Sequence, residues 1–411
     1  MIVSTQGVAF TAHCLASDHR GKHIKAAASF LKPSFCMFLL LLGCANQNTS
    51  NPYINAQQIS NYAISADLWL LRTRAPRGVV PYAYNPENNR YRSRRNLSSE
   101  LHTARRLANL ALTRARFNQP ASDLVGAISA NWLSSEDEGS RILEKGKSSL
   151  GANALWLRVQ IARYKKSQNE DLLQQIDQQA TLIRQGFTPE KGFHQWLSSE
   201  ETRSTYYQRL YTGQAALALL EHSALLNDTR SRKIAESALN WLSSRYPADN
   251  NDNFHPSLIP WHAFAIAQHF NLTGDNRHLK NLFLMSTQLI KLQSDSDFPG
   301  QFMTPKKENF GQPNAVRDAL STLVLLESLK IAEQMQEARW AKKLRRAIWP
   351  ALMNIRSLQY DHGKVSSFPK PQNAVGAMRY GHNEALIRLD ATVFGAEAFE
   401  KAATLIRRGL L

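Results

Sequence analysis

From Gln57 to the end of the chain, apolar residues recur every three to four positions, not every second one. Residues 205–226, with Leu210, Ala216, Leu217, Leu220 and Leu225, and residues 230–245, with Ile234, Ala238, Leu239, Trp241 and Leu242, carry this spacing well. It predicts amphipathic helices, each buried along one face. Strand-like alternation is not convincing anywhere. Stop signals fall between the periodic runs: Asn227-Asp228, Thr273-Gly274-Asp275, and the loop Ser296-Asp297-Phe298-Pro299-Gly300. The stretches 150–183, 213–242, 261–290 and 317–352 each read as helix, short polar turn, helix. Two of these turns lie 47 residues apart, a hairpin repeat. About twelve helices are expected between 56 and 410. The connections 186–204, 246–257 and 293–314 are long and rich in Gly, Pro, aromatic and acidic residues, whereas the turns inside hairpins are short. Unequal connections gather long loops on one face. That favours an all-α fold, an (α/α) toroid of about six helical hairpins with a mouth, over an open α-hairpin solenoid.

The first 56 residues break the pattern. Residues 34–43 form an apolar run too short to span a bilayer as a helix. Arg20, Lys22, Lys25 and Lys32 precede it, with Asp18 opposing. A basic region followed by a short apolar region reads as an export signal. The run ends in Leu41-Leu42-Gly43-Cys44, which resembles the lipobox of bacterial lipoproteins. The resemblance implies a leader over 1–43, lipidation at Cys44, a polar tether over 44–56 and a toroid domain over 57–411. Ala45 in place of Asp implies the outer membrane, with the domain facing the periplasm. Cys14 and Cys36 lie in the leader, so the mature chain keeps one thiol and no internal disulfide.

Net charge is +17 for 411 residues, and removing the leader's +3 leaves +14. Residues 72–116 hold eleven arginines against Glu87 and Glu100, a net +9 with no lysine. Arginine forks suit carboxylates and phosphates, so this stretch reads as an anion-facing surface. With an export signal in front of it, the expected partner is an anionic polysaccharide or envelope glycan, with membrane contact through the lipid anchor and no nucleic acid. Metal-ligand spacing, a glycine-rich phosphate loop and a Gly-x-Ser-x-Gly turn are all missing, so no metal or cofactor is expected.

Several stretches resemble the α/α-toroid superfamily, which includes six-hairpin glycosidases and the helical domain of D-glucuronyl C5-epimerases. They are Trp69–Arg72 followed by Val80–Arg90, Tyr211-Thr-Gly-Gln214-Ala-Ala-Leu, Pro260–Phe264, Ala374–Arg379 and Ile387-Arg-Leu-Asp390. The likeness spans roughly 60–410. It implies binding or processing of an acidic polysaccharide, by uronate epimerisation or glycoside cleavage, with a non-catalytic envelope scaffold as the alternative. On that implication Asp318, Asp390, His262 and Tyr211 are the acid/base candidates. Arg317, Arg379 and Arg388 would hold carboxylates, and Tyr84 and Trp261 would stack on sugar faces. Gln214 departs from the pattern, because relatives carry an acid at this position.

Overall fold

The computed structural model describes residues 55–73, 78–92, 94–136, 139–197, 204–248, 255–295, 297–303 and 312–411. Cys44, the leader and most of the tether lie outside these residues, as do Arg74, Arg77 and Glu201.

Twelve α-helices are present among the described residues: α1 Ala56–Arg72, α2 Leu97–Ala111, α3 Asn118–Trp132, α4 Leu150–Ser167, α5 Glu170–Gln185, α6 Thr205–Leu226, α7 Thr229–Arg245, α8 Ile259–Thr273, α9 Leu279–Ile290, α10 Ala315–Gln334, α11 Ala338–Leu358 and α12 Leu389–Arg407. The even-numbered helices α2 to α12 form an inner ring, each packed on the next, and α12 closes onto α2. The odd-numbered helices lie outside, α1 against α12 and each of the others against the inner helix that precedes it. Burial follows from this layering. Residues 212–220 of α6 and 317–326 of α10 are buried on every side. The outer α11 buries only a stripe, Ala341, Leu344, Ile348, Ala351, Leu352 and Ile355, with lysines and arginines opposite. The structure is therefore the closed toroid of six hairpins, not an open solenoid.

Inner-to-outer turns are short. Asn227 takes a left-handed φ of 53°, and Asp228 caps α7 by accepting from the Arg230 and Ser231 amides. Every outer-to-inner connection is long and arrives at the N-terminus of an inner helix. The mouth therefore lies where the positive ends of six helix dipoles gather.

Strands appear where none was convincing. Short segments β1 Ala83–Asn85, β2 Arg90–Arg92, β7 Arg379–Gly381 and β8 Glu384–Arg388 make a sheet of order β2-β1-β8-β7, joining the first and last mouth loops. Two further hairpins, β3 Leu133–Glu136 with β4 Gly139–Ile142 and β5 Phe187–Thr188 with β6 Gly192–Phe193, cap other loops. Strands of two to five residues are too short to leave an alternating signature.

The arginine-rich stretch corrects the expectation of one anion-facing surface. Arg106 is buried between helices and bound to Asp67 and Glu400. Arg105 pairs with Glu397, Arg114 with Asp67 at 3.4 Å, and Arg95 with Glu100 at 2.7 Å. Arg72 donates to the Val375 carbonyl. A guanidinium between packed helices needs a carboxylate beside it, and these carboxylates come mostly from outside the stretch, from α1 just before it and from α12 nearly 300 residues on. Of the described arginines in this stretch, Arg72, Arg90, Arg92, Arg94 and Arg116 are exposed.

Candidate functional site

A cavity of about 340 Å³ opens at the mouth among the first turns of α2, α6, α8, α10 and α12. Its floor is aromatic. Trp261 of α8 stacks on His102 of α2, with centroids 5.2 Å apart, and Phe394 of α12 meets His102 edge-on at 4.8 Å. Tyr206 and Tyr380 stand on the walls. Asn96 and Asn314 cap α2 and α10, accepting from the Ser99 and Arg317 amides at 2.9 and 3.1 Å, and so fix the helix ends that carry Ser99 and Arg317.

Two cations and one acid line the cavity: Arg317, Arg388 and Asp390. Arg388 lies between the rings of Tyr82 and Tyr380, 4.7 and 4.3 Å from their centroids. It binds Asp390 with both arms, Nε to Oδ1 at 3.0 Å and Nη2 to Oδ2. The neighbouring carboxylate and phenols hold the Arg388 guanidinium above its ordinary range against the effect of burial. Burial, with Asp390 adding to it, pushes Tyr82 up to about 12. Arg317 is buried, which lowers its guanidinium from the usual value.

Two further groups in the lining have unused hydrogen-bonding capacity. His102 is buried, its Nδ1 has no hydrogen-bond partner, and burial holds the imidazole well below its ordinary value, neutral at pH 7. The Gln214 Oε1 atom is likewise buried without a partner. Beneath the floor, Trp261 and Phe394 also roof a second polar cavity, whose acids are engaged: Glu221 with Arg158 at 2.8 Å, Glu397 with Arg105, and Glu327 with Lys401.

Of the residues singled out from sequence, Trp261, Arg317, Arg388 and Asp390 meet in this cavity. Asp318, His262, Tyr211, Tyr84 and Arg379 do not line it. One residue along a helix turns the side chain by about 100°, so Asp318 faces outward from Arg317. It accepts from the Phe302 amide at 3.0 Å and the Asn354 amide nitrogen at 2.8 Å, and burial pushes its carboxyl up to about 7. His262 turns away from Trp261 in the same manner. Its Nε2 meets the Arg209 carbonyl at 3.0 Å, and burial lowers it to about 4. Tyr211 packs on Gly151, where any Cβ would lie 2.3 Å from the ring, and burial pushes it up to about 12. Tyr84 is buried in the sheet, stacked on Tyr91 and donating to Asn89 at 3.0 Å. Arg379 lies opposite Ile387, one position off Arg388 and so on the other sheet face, and donates to the His382 carbonyl at 3.1 Å. The four acid/base candidates thus do not form one constellation.

His102 was not among the sequence candidates. Its signal was the Asn96 cap followed by Ser98, Ser99 and His102 on one helix face, masked by the arginines around it. Asp177, His222 and Asp228 place ligand atoms within 4.8 Å of one another, at the opposite end of α6 from Tyr206. Arg184 already donates to Asp228 at 2.9 Å there.

No family model and no curated protein matches the chain. Solved structures do match. A cellobiose 2-epimerase from Spirochaeta thermophila aligns with a TM-score of 0.63 at 13% identity, over 87% of this chain and 98% of that one. An α-1,6-mannanase from a Salegentibacter species aligns with a TM-score of 0.56 at 12% identity, over 84% and 99%. An unsaturated glucuronyl hydrolase specific for heparin aligns with a TM-score of 0.59 at 11% identity, over 85% and 98%. At these identities the likeness concerns the backbone: the chain has the six-hairpin α/α-toroid fold of these glycosidase-like proteins.

Proposed function

We propose that the mouth cavity binds one unit of an acidic polysaccharide, with the sugar carboxylate on Arg317 and the ring against Tyr206, Tyr380 and Trp261. The observation that carries this reading is the lining itself. It holds Arg317, Arg388 and the Asp390 carboxylate that Arg388 clamps, together with two buried side-chain atoms, His102 Nδ1 and Gln214 Oε1, that lack hydrogen-bond partners. A cationic, aromatic and hydrogen-bond-hungry pocket suits a carboxylate-bearing polyol. The saccharides named for the three structural relatives support a saccharide ligand, and the glucuronyl unit named for one of them carries a carboxylate.

Glycoside cleavage by paired carboxylates needs a second free acid across the mouth, and the described lining offers none. Proton transfer next to a carboxylate fits better. The neutral His102 imidazole would take the proton from the carbon beside the sugar carboxylate, a phenol of Tyr206 or Tyr380 would return one on the other face, and Arg317 would steady the negative charge between the two steps. The second reading is a ring that only binds. Burial lowers the His102 imidazole and so favours this reading, since a less basic imidazole is a poorer base.

Arg317→Ala is expected to weaken binding of short uronate oligosaccharides about tenfold or more, measured by calorimetry. If the unaltered protein binds none, the reading falls. Uptake of solvent deuterium at the carbon beside the carboxylate, abolished by His102→Phe with binding retained, would mark the epimerase. Binding without exchange would mark the binder.

We further propose that the chain is exported and lipid-anchored at Cys44, on the basic region, apolar run and Leu-Leu-Gly-Cys tetrad ahead of the ring. Labelling with a palmitate analogue is expected to be lost in Cys44→Ala. Equal label in both proteins would overturn the anchor.

A further inference from the structure

Strand β2 stands apart from the rest of the arginine-rich stretch. Arg95, Arg105, Arg106 and Arg114 are spent on internal carboxylates, but none of the ion pairs among the described residues involves Arg90, Arg92 or Arg94. All three are exposed, as is Tyr91 at 44%. Glu87, in the turn between β1 and β2, is the acid closest in the chain to Arg90 and Arg92.

Register relates these arginines to the mouth. Arg92 pairs with Ala83, and Ala83 pairs with Arg388. Directly opposed residues put their side chains on the same sheet face, so Arg92, Ala83 and Arg388 form one cross-strand row. Ala83 is small and only 2% exposed, so the two arginines meet solvent on either side of it. Two strand spacings set Arg92 and Arg388 about 10 Å apart. Arg90 lies two residues before Arg92 and shares its face. On the opposite face Tyr91 is stacked on Tyr84, which stiffens β2 from behind. β2 is also the edge of the sheet, so nothing in the sheet lies beyond it. A row thus leads from Arg388 at the cavity wall, past one small buried residue, to an exposed cationic edge.

The geometry points to β2 as a rail for the continuation of an acidic polysaccharide, with Arg92, Arg90 and Arg94 taking carboxylates of the units that leave the mouth. This inference rests on the mouth reading above and extends it from one bound unit to an extended polyanionic chain. Charges on an edge strand also discourage strand pairing, but that role would not require alignment with Arg388.

The test uses the full chain and oligogalacturonates of two and eight units, followed by calorimetry. The octamer is expected to bind about tenfold more tightly than the dimer, since several exposed ion pairs contribute modestly each. The triple variant Arg90→Ser/Arg92→Ser/Arg94→Ser is expected to keep the dimer affinity and lose the octamer advantage. The corresponding triple lysine variant should keep part of it, and raising the salt concentration should shrink it in the unaltered protein. An octamer advantage that survives in the serine variant would overturn the rail. So would its absence in the unaltered protein when the dimer binds, or an equal advantage with neutral oligosaccharides of the same length. If neither oligomer binds the unaltered protein, the mouth reading fails first and the rail falls with it.

Discussion

Asp67→Ala is expected to lower the unfolding free energy by about 3–5 kcal/mol, the usual cost of removing one partner from a buried ion pair. Asp67 on α1 is 0% exposed and accepts from Arg106 Nε at 3.0 Å and Nη2 at 2.9 Å. Arg106 on α2 is 4% exposed and also reaches Glu400 on α12. Three helices therefore share one guanidinium at the seam where the last hairpin meets the first. Asp67 and Glu400 hold Arg106 firmly in its charged form. Without Asp67, that buried charge keeps Glu400, whose side chain is half exposed, as its paired carboxylate among the described residues, with Glu397 acting from farther off. The double variant Asp67→Leu/Arg106→Met removes both charges and is expected to cost less than the single one. Urea unfolding measures both. A single-variant loss below about 1 kcal/mol would mean that the seam is held by packing alone.

The second large effect is a pH dependence centred on Asp318. Its folded carboxyl titrates near 7, against a usual value of 3.8, because burial penalises the charged form. Between those values the folded protein keeps a proton that the unfolded chain has released. The stability linked to this group is thus complete below about pH 4, declines as pH rises, and levels off above 7. The shift corresponds to a loss on the order of a few kcal/mol. His255, His262, His278 and His382 work in the opposite sense. Burial lowers each to about 4, so their contribution is lost as pH falls from the usual 6.5 toward 4. Comparing Asp318→Asn with the unaltered protein cancels the histidines, most cleanly between pH 5 and 7, where the folded-state imidazoles are already neutral. The stability of the variant relative to the unaltered protein is expected to rise across that range and then flatten. A difference independent of pH would show that Asp318 titrates as an ordinary carboxylate.

The ring was legible from sequence because its cause is local. Apolar spacing of three to four positions, turn residues such as Asn227-Asp228, and unequal connections each act within a few residues of chain, and together they define hairpins with one mouth. The site was legible only to the nearest helix start. Arg317 and Asp318 are neighbours in sequence, as are Trp261 and His262, and the first of each pair lines the cavity while the second packs away from it. That choice is made by helix phase relative to the ring axis, which depends on packing against other hairpins. His102 escaped notice because its partners, Trp261 and Phe394, come from α8 and α12. The arginine count misled for the same reason. Glu397, Glu400 and Asp67 neutralise charges that looked unopposed in residues 72–116.

The packing of α1 on α12 bears on how the chain could be rewired. Inner helices run away from the mouth and outer helices run toward it, so α12 ends on the same face from which α1 sets out. The gap between Arg407 and Ala56 occupies the place of a sixth short turn. The toroid therefore has no hairpin that is first by necessity. A circular permutant joined across that gap and opened at Asn227-Asp228 would keep all twelve helices, every mouth connection and the Asp67–Arg106–Glu400 seam, with the seam now in the interior of the chain.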